Sequence, residues 1–172
     1  MNLQSNDFEL FGVPPQFAQD RMQLDARWKK LQHEAHPDKF AAQGPAAQRL
    51  AMQWSVRINE AYQRLKNPLR RASYLCELHG APINAENNTA MPGDFLMQQM
   101  EWREALDAAD SMENLNEIAL EAKLNGHKLL LKIEKFLDAE KDFAKAAQQV
   151  RSLMFIERFV DEVDDRIDLM QP

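Results

Sequence analysis

A chain of 172 residues, 45% hydrophobic and 28% charged, can bury one large core or two small ones, in the manner of an ordinary soluble globular protein. Its single cysteine, Cys76, excludes an intramolecular disulfide and a cysteine-rich metal site, and no apolar run approaches the roughly 20 residues of a membrane span. The net charge of −6 is uneven: residues 1–79 carry 11 Lys/Arg against 8 Asp/Glu and residues 80–172 carry 10 against 19, so the second half is unsuited to nucleic acid.

Five glycines and no alternating β-branched run favour helices. A short first helix is expected over Asp7 to Phe11, capped by Ser5 or Asn6 and stopped by Gly12 and Pro14-Pro15. A second starts at Arg21 behind Asp20 and reaches Ala35, with Leu24, Trp28, Leu31 and Ala35 as its apolar stripe and Arg27, Lys30 and Glu34 opposite. Pro37 disfavours helical geometry at His36 and ends it. Phe40 to Gly44 reads as loop. Pro45 opens a long third helix to Lys66, with Leu50, Trp54, Ile58, Ala61 and Leu65 on its inner face. Asn67 and Pro68 form the start of a fourth, ending near His79-Gly80.

The composition of residues 81–93, with Pro82, Asn84, Asn87, Asn88, Thr89, Pro92 and Gly93, predicts a linker between a domain at 1–80 and another at 94–172. Helices at 94–109, 114–137 and 142–169 with short connections predict an antiparallel three-helix bundle, so the whole chain is expected to be all-α. In the first of these, Phe95, Trp102, Leu106 and Ala109 point to the interior. Leu96, Met97 and Met100 lie beside that stripe with Glu101 and Glu104, and Phe155 and Phe159 are surplus to the core stripe of the last helix. Periodicity alone leaves two uses for these residues, core filling or a protein-binding patch, and favours the first.

His36-Pro37-Asp38 joins two amphipathic helices, and the proline makes the corner stiff, so the imidazole and carboxylate protrude as a partly preordered recognition element. His33 and His36 have the spacing of two metal ligands but no third, so no metal and no cofactor are expected. No catalytic constellation is visible either. Lys29 and Lys30 alone would read as a solvated face.

Residues 7–78 resemble a J-domain. The likeness rests on Phe8-x-Leu10-Phe11-Gly12-Val13, Arg27-Trp28-Lys29-Lys30-Leu31, His36-Pro37-Asp38-Lys39, Ile58-Asn59-Glu60-Ala61-Tyr62-x-x-Leu65 and Asn67-Pro68-x-x-Arg71-Ala72-x-Tyr74. The resemblance implies an antiparallel helical hairpin with two short helices. It also implies that His36, Pro37 and Asp38 trigger ATP hydrolysis in a heat-shock chaperone while Arg27, Lys29, Lys30 and Lys39 make the electrostatic contacts. Ala35 stands where many J-domains have an aromatic residue.

Joined to an acidic bundle carrying Phe95-Leu96-Met97-x-x-Met100-Glu101-x-Arg103-Glu104 and Val150-Arg151-x-Leu153-x-Phe155, the chain is similar over nearly its whole length to the HscB family of bacterial iron–sulfur co-chaperones. That likeness implies partners of two kinds, an HscA-type ATPase chaperone and an IscU-type scaffold. The scaffold would be gripped by Leu96, Met97, Met100, Glu101, Glu104 and Phe155, and its cluster transfer promoted. Met100 replaces the usual leucine, and Ala105 follows Glu104 where a second acidic residue is common. The alternative is a general J-protein delivering unfolded clients, although the glycine/phenylalanine-rich linker of such proteins is missing. No basic leader with an apolar segment opens the chain, so the expected location is the cytoplasm.

Overall fold

In the computed structural model, residues 2–171 are described, and they form seven α-helices with no strand among them: α1 Asp7–Phe11, α2 Arg21–Glu34, α3 Pro45–Lys66, α4 Pro68–Leu78, α5 Gly93–Ala108, α6 Met112–Glu134 and α7 Phe143–Met170. Local chemistry sets most of these ends. Asn6, the second of the two expected caps, accepts from the Glu9 N–H at 2.9 Å while the Glu9 carboxylate accepts from the Asn6 N–H at 3.2 Å, a capping box. Gly12, at φ +64°, closes α1 in the left-handed conformation that a side chain would strain. Asp20 caps α2 through Met22 N–H, and Asn67 accepts from Arg70 N–H at the start of α4.

Two stretches depart from expectation. Pro37–Gln43 is a short 3-10 helix, where Phe40 to Gly44 reads as loop. Pro37 presets the first helical φ, and nothing before Gly44 interrupts the turn. At the other end, α6 starts two residues early because Ser111 caps it, and a π-helical turn at Lys135–Ala139 follows it.

The chain divides into two compact units between Leu75 and Cys76, so residues 81–93 lie within the second unit instead of between the two. The reason is Arg151 on α7. Its buried guanidinium donates to the carbonyls of Ile83 (2.9 Å), Ala90 (3.2 Å) and Pro82 (3.3 Å), and Ile83 is itself buried. Backbone carbonyls satisfied in this way hold an otherwise irregular strand of chain in place.

In the first unit the antiparallel hairpin of α2 and α3 is flanked by the two short helices α1 and α4, and Phe8, Phe11, Leu24, Ile58 and Leu65 are buried at its centre. Asp7 is fully buried between Arg57 (2.8 Å) and Arg64 (2.6 Å) of α3, tying α1 to the hairpin. The hydrogen bonds that Arg64 donates to the Asp7 carboxylate raise the Arg64 pKa further. Leu50, expected on the inner face of α3, is 50% exposed. It stands on the edge of an apolar cavity of about 360 Å³ lined by Leu31, Ala35, Phe40 and Trp54, where the small Ala35, Ala47 and Ala51 leave space.

The second unit is a three-helix bundle. Leu115, Ile118, Ala122, Leu129 and Ile133 of α6 meet Ala147, Val150, Leu153, Val160 and Val163 of α7, all buried. Phe95, Trp102 and Leu106 bury the inner face of α5 as expected. Among the described residues no helix is long and apolar enough to cross a membrane.

Candidate functional site

The corner at residues 36–38 closes on itself. His36 is extended (φ −63°, ψ 128°) and caps the 3-10 helix, its Nδ1 accepting from the Asp38 N–H at 3.3 Å. Its carbonyl accepts from the Lys39 N–H at 3.0 Å. The carboxylate of Asp38 stands 3.7 Å from the same Nδ1, and the two side chains are 57% and 89% exposed. Backbone and side chain together therefore fix where the imidazole projects, yet both polar groups remain open to a partner.

Behind the corner, the hairpin is locked by a polar ladder that sequence reading missed. Asn59 Oδ1 accepts from both Trp28 Nε1 (2.9 Å) and Gln32 Nε2 (2.7 Å), and Gln32 also donates to the Ser55 carbonyl. The Ser55 hydroxyl donates to the Ala35 carbonyl, one residue before His36. Further along, Tyr62 donates to Asp25 at 2.5 Å; this bond lowers the Asp25 pKa and raises that of Tyr62. The only signal in the sequence was polar residues at hairpin-facing positions of two helices otherwise read for their apolar stripes.

Lys29 and Lys30 on α2 and Lys39 beside the corner are exposed, as is Arg27. Arg27 also lies across the end of α1, its Nη1 3.0 Å from where a side chain on Gly12 would begin. The structure thus brings Lys39 to the corner itself, while Lys29, Lys30 and Arg27 extend back along the same helix.

A second surface lies on α5. Leu96, Met97 and Met100 are 46%, 65% and 66% exposed, and the exposed Glu101 and Glu104 share that outer side of the helix. Phe155 is half-buried: its ring meets Phe95 edge-on at 5.9 Å and stacks on Phe159 at 5.9 Å. Phe159 is not surplus. It is buried, stacked under Trp102 at 5.7 Å with the Arg103 guanidinium 5.5 Å from its ring, and Arg103 is held in turn by Glu162. The core filling that periodicity favours for this residue is thus completed by a ring from α5. Burial, and then the nearby Asp161, push the Glu157 carboxyl above its usual range.

The family model described as the HSCB C-terminal oligomerisation domain matches residues 91–164. The chain is 48% identical to a co-chaperone protein HscB homolog of Burkholderia multivorans, over 99% of both chains. Its fold is similar to chaperone HscB from Vibrio cholerae (TM-score 0.82, 36% identity, 97% of this chain and 100% of that one). It is also similar to the human co-chaperone protein HscB (TM-score 0.83, 26% identity, 98% and 83%). The all-helical order, a J-domain followed by a helical C-terminal domain, matches both of these HscB structures.

Proposed function

The chain belongs to the HscB family of co-chaperones, and from that premise we propose that it couples an IscU-type iron–sulfur scaffold to an HscA-type chaperone whose ATPase it stimulates. The observation that carries the proposal is the corner at residues 36–38, rigid in its backbone and open at both polar side chains. A preordered tip loses little entropy on docking, so its contacts appear largely as binding energy. His36, Pro37 and Asp38 are the trigger. Arg27, Lys29, Lys30 and Lys39 attract an acidic surface on the chaperone and raise the rate of encounter more than the final affinity.

The scaffold is gripped by Leu96, Met97 and Met100, with Phe155 as a rigid aromatic edge and Glu101 and Glu104 as a polar rim. Holding both partners on one chain turns the second encounter into an intramolecular one, which couples scaffold capture to ATP hydrolysis and promotes cluster transfer. The chain itself performs no covalent step and needs no cofactor.

His36→Gln tests this. The variant is expected to bind the scaffold with unchanged affinity in a titration and to leave the chaperone's ATPase at its basal rate. Stimulation equal to that of the native chain would overturn the trigger assignment.

A further inference from the structure

The open end of the α2–α3 hairpin has no core of its own. From residue 25 to residue 50 no side chain is buried, although Leu31, Ala35, Phe40 and Leu50 are all apolar. With Trp54 they wall the cavity of about 360 Å³, and apart from Glu34 and Gln43, both exposed, every wall is apolar or aromatic. Gln32 donates to the Ser55 carbonyl and Ser55 to the Ala35 carbonyl, so α2 and α3 are held at a set spacing and the alanines between them cannot draw together. A preformed apolar cleft of this size is a place where an apolar group gains by leaving water. Its position is equally specific. Ala35 immediately precedes His36, and Phe40 and Gln43 belong to the 3-10 helix that the corner opens. Leu10, Leu31 and Glu34 also wall a smaller cavity, of about 170 Å³, that reaches Arg27 and Lys30. The cleft therefore adjoins both the trigger and the cations.

We infer that this cleft receives one bulky apolar side chain, leucine or phenylalanine in size, carried by the ATPase chaperone beside the acidic surface that meets α2, and that Ala35 makes room for it. The inference rests on the co-chaperone reading and deepens it, by naming the contact that selects the chaperone. Exposed cations speed encounter with any acidic surface and discriminate little between such surfaces. An apolar anchor seated in a preformed cleft supplies the missing selectivity, since it demands a matching shape as well as a charge. A larger residue at position 35 would fill the cleft from within and exclude the anchor. The scaffold is the poorer occupant, because the residues proposed to grip it all lie in the second unit and every wall of the cleft lies in the first.

Ala35→Phe tests this, with the ATPase of an HscA-type chaperone followed as the intact chain is titrated in. Burial of a leucine-sized group is worth at least about tenfold in affinity, so the concentration giving half-maximal stimulation is expected to rise ~10-fold or more. The stimulated rate at saturation should change less, because His36 and Asp38 are untouched, and the melting temperature should rise as the cavity fills. Weaker docking by a more stable chain is not what a folding defect produces. Ala47→Leu fills the cleft from α3, away from the corner, and is expected to act in the same direction. Half-maximal concentrations within about threefold of native in both variants, while His36→Gln abolishes stimulation, would overturn the inference and leave the co-chaperone reading standing. A native chain that gives no stimulation would overturn both. Weakened binding of the IscU-type scaffold in place of the chaperone would overturn the inference too, because the anchor would then belong to the other partner.

Discussion

Replacing Leu96, Met97 and Met100 together by alanine is the sharpest test of the scaffold surface, because the structure bounds the effect from above. Complete burial of a Leu or Met side chain is worth about 1.5–3 kcal/mol. Only the part still exposed can be gained on binding, which is 46%, 65% and 66% of the three residues. Scaled by these fractions, the three together can supply about 2.7–5.3 kcal/mol, of which the alanine methyl groups retain a share, leaving a loss of about 2–4 kcal/mol. That corresponds to a dissociation constant weakened from about 30-fold to about 1000-fold. The fold should hardly respond, since the removed atoms face solvent. The assay is a calorimetric titration with purified IscU-type scaffold, paired with thermal unfolding of the variant. Weakening of less than about threefold, with melting temperature preserved, would refute the assignment of the patch. Phe155→Ala is a poorer probe: its ring packs on Phe95 and Phe159, so lost binding and lost stability arrive together.

Three further outcomes follow from buried groups. Asp7→Asn removes the one carboxylate between Arg57 and Arg64 and should lower the stability of the first unit by about 3–5 kcal/mol, as breaking a buried ion pair does; a loss below about 1 kcal/mol in denaturant titration would contradict this. Burial pushes the Cys76 thiol up to about 11, so it should resist a disulfide reagent at pH 8 until the chain unfolds. Because the unfolded thiol ionises first, stability contributed at Cys76 should fall as the pH rises from the ordinary thiol range toward 11; unfolding midpoints with the same pH slope in Cys76→Ala would show otherwise. Gly126→Ala should raise stability by about 0.5–1 kcal/mol, since a mid-helix glycine is replaced. The new methyl meets Leu153 and Ile156 at ordinary distances of 3.4 and 3.5 Å, and a lowered melting temperature would mean that the α6–α7 contact cannot yield.

Helix positions were largely legible because their signals are local. Asn6, Asp20, Pro45 and the Asn67-Pro68 pair act on backbone groups within a turn of themselves, so the chain order of residues suffices to read them. What escaped depends on distant partners. Arg151 reaches carbonyls more than 60 residues away, and its effect is to fold residues 81–93 into the bundle unit although their composition is that of a linker. Leu50 was assigned to the wrong side for the same reason: nothing bulky comes from Ala35 or Ala47 to cover it. At the corner, the sequence carries the stiffness of Pro37, while the Asn59 and Ser55 hydrogen bonds that brace it appear only once α2 and α3 are paired.

The two proposed surfaces differ in construction, and the difference matches what each must do. The corner is small, polar and closed by its own hydrogen bonds, so it can deliver a few directional contacts with little ordering loss. The α5 surface relies on two flexible methionines and a leucine against one packed aromatic edge, an arrangement that adapts to an irregular partner at the expense of side-chain entropy. On the proposed reading, charge would also keep the partners apart: the cationic helix beside the corner and the carboxylate-rimmed patch on the acidic half suit ligands of opposite charge. If the chain holds two proteins at once, as proposed, such mutual exclusion gains it more than tighter binding at either surface, because a misplaced partner would block the coupling entirely.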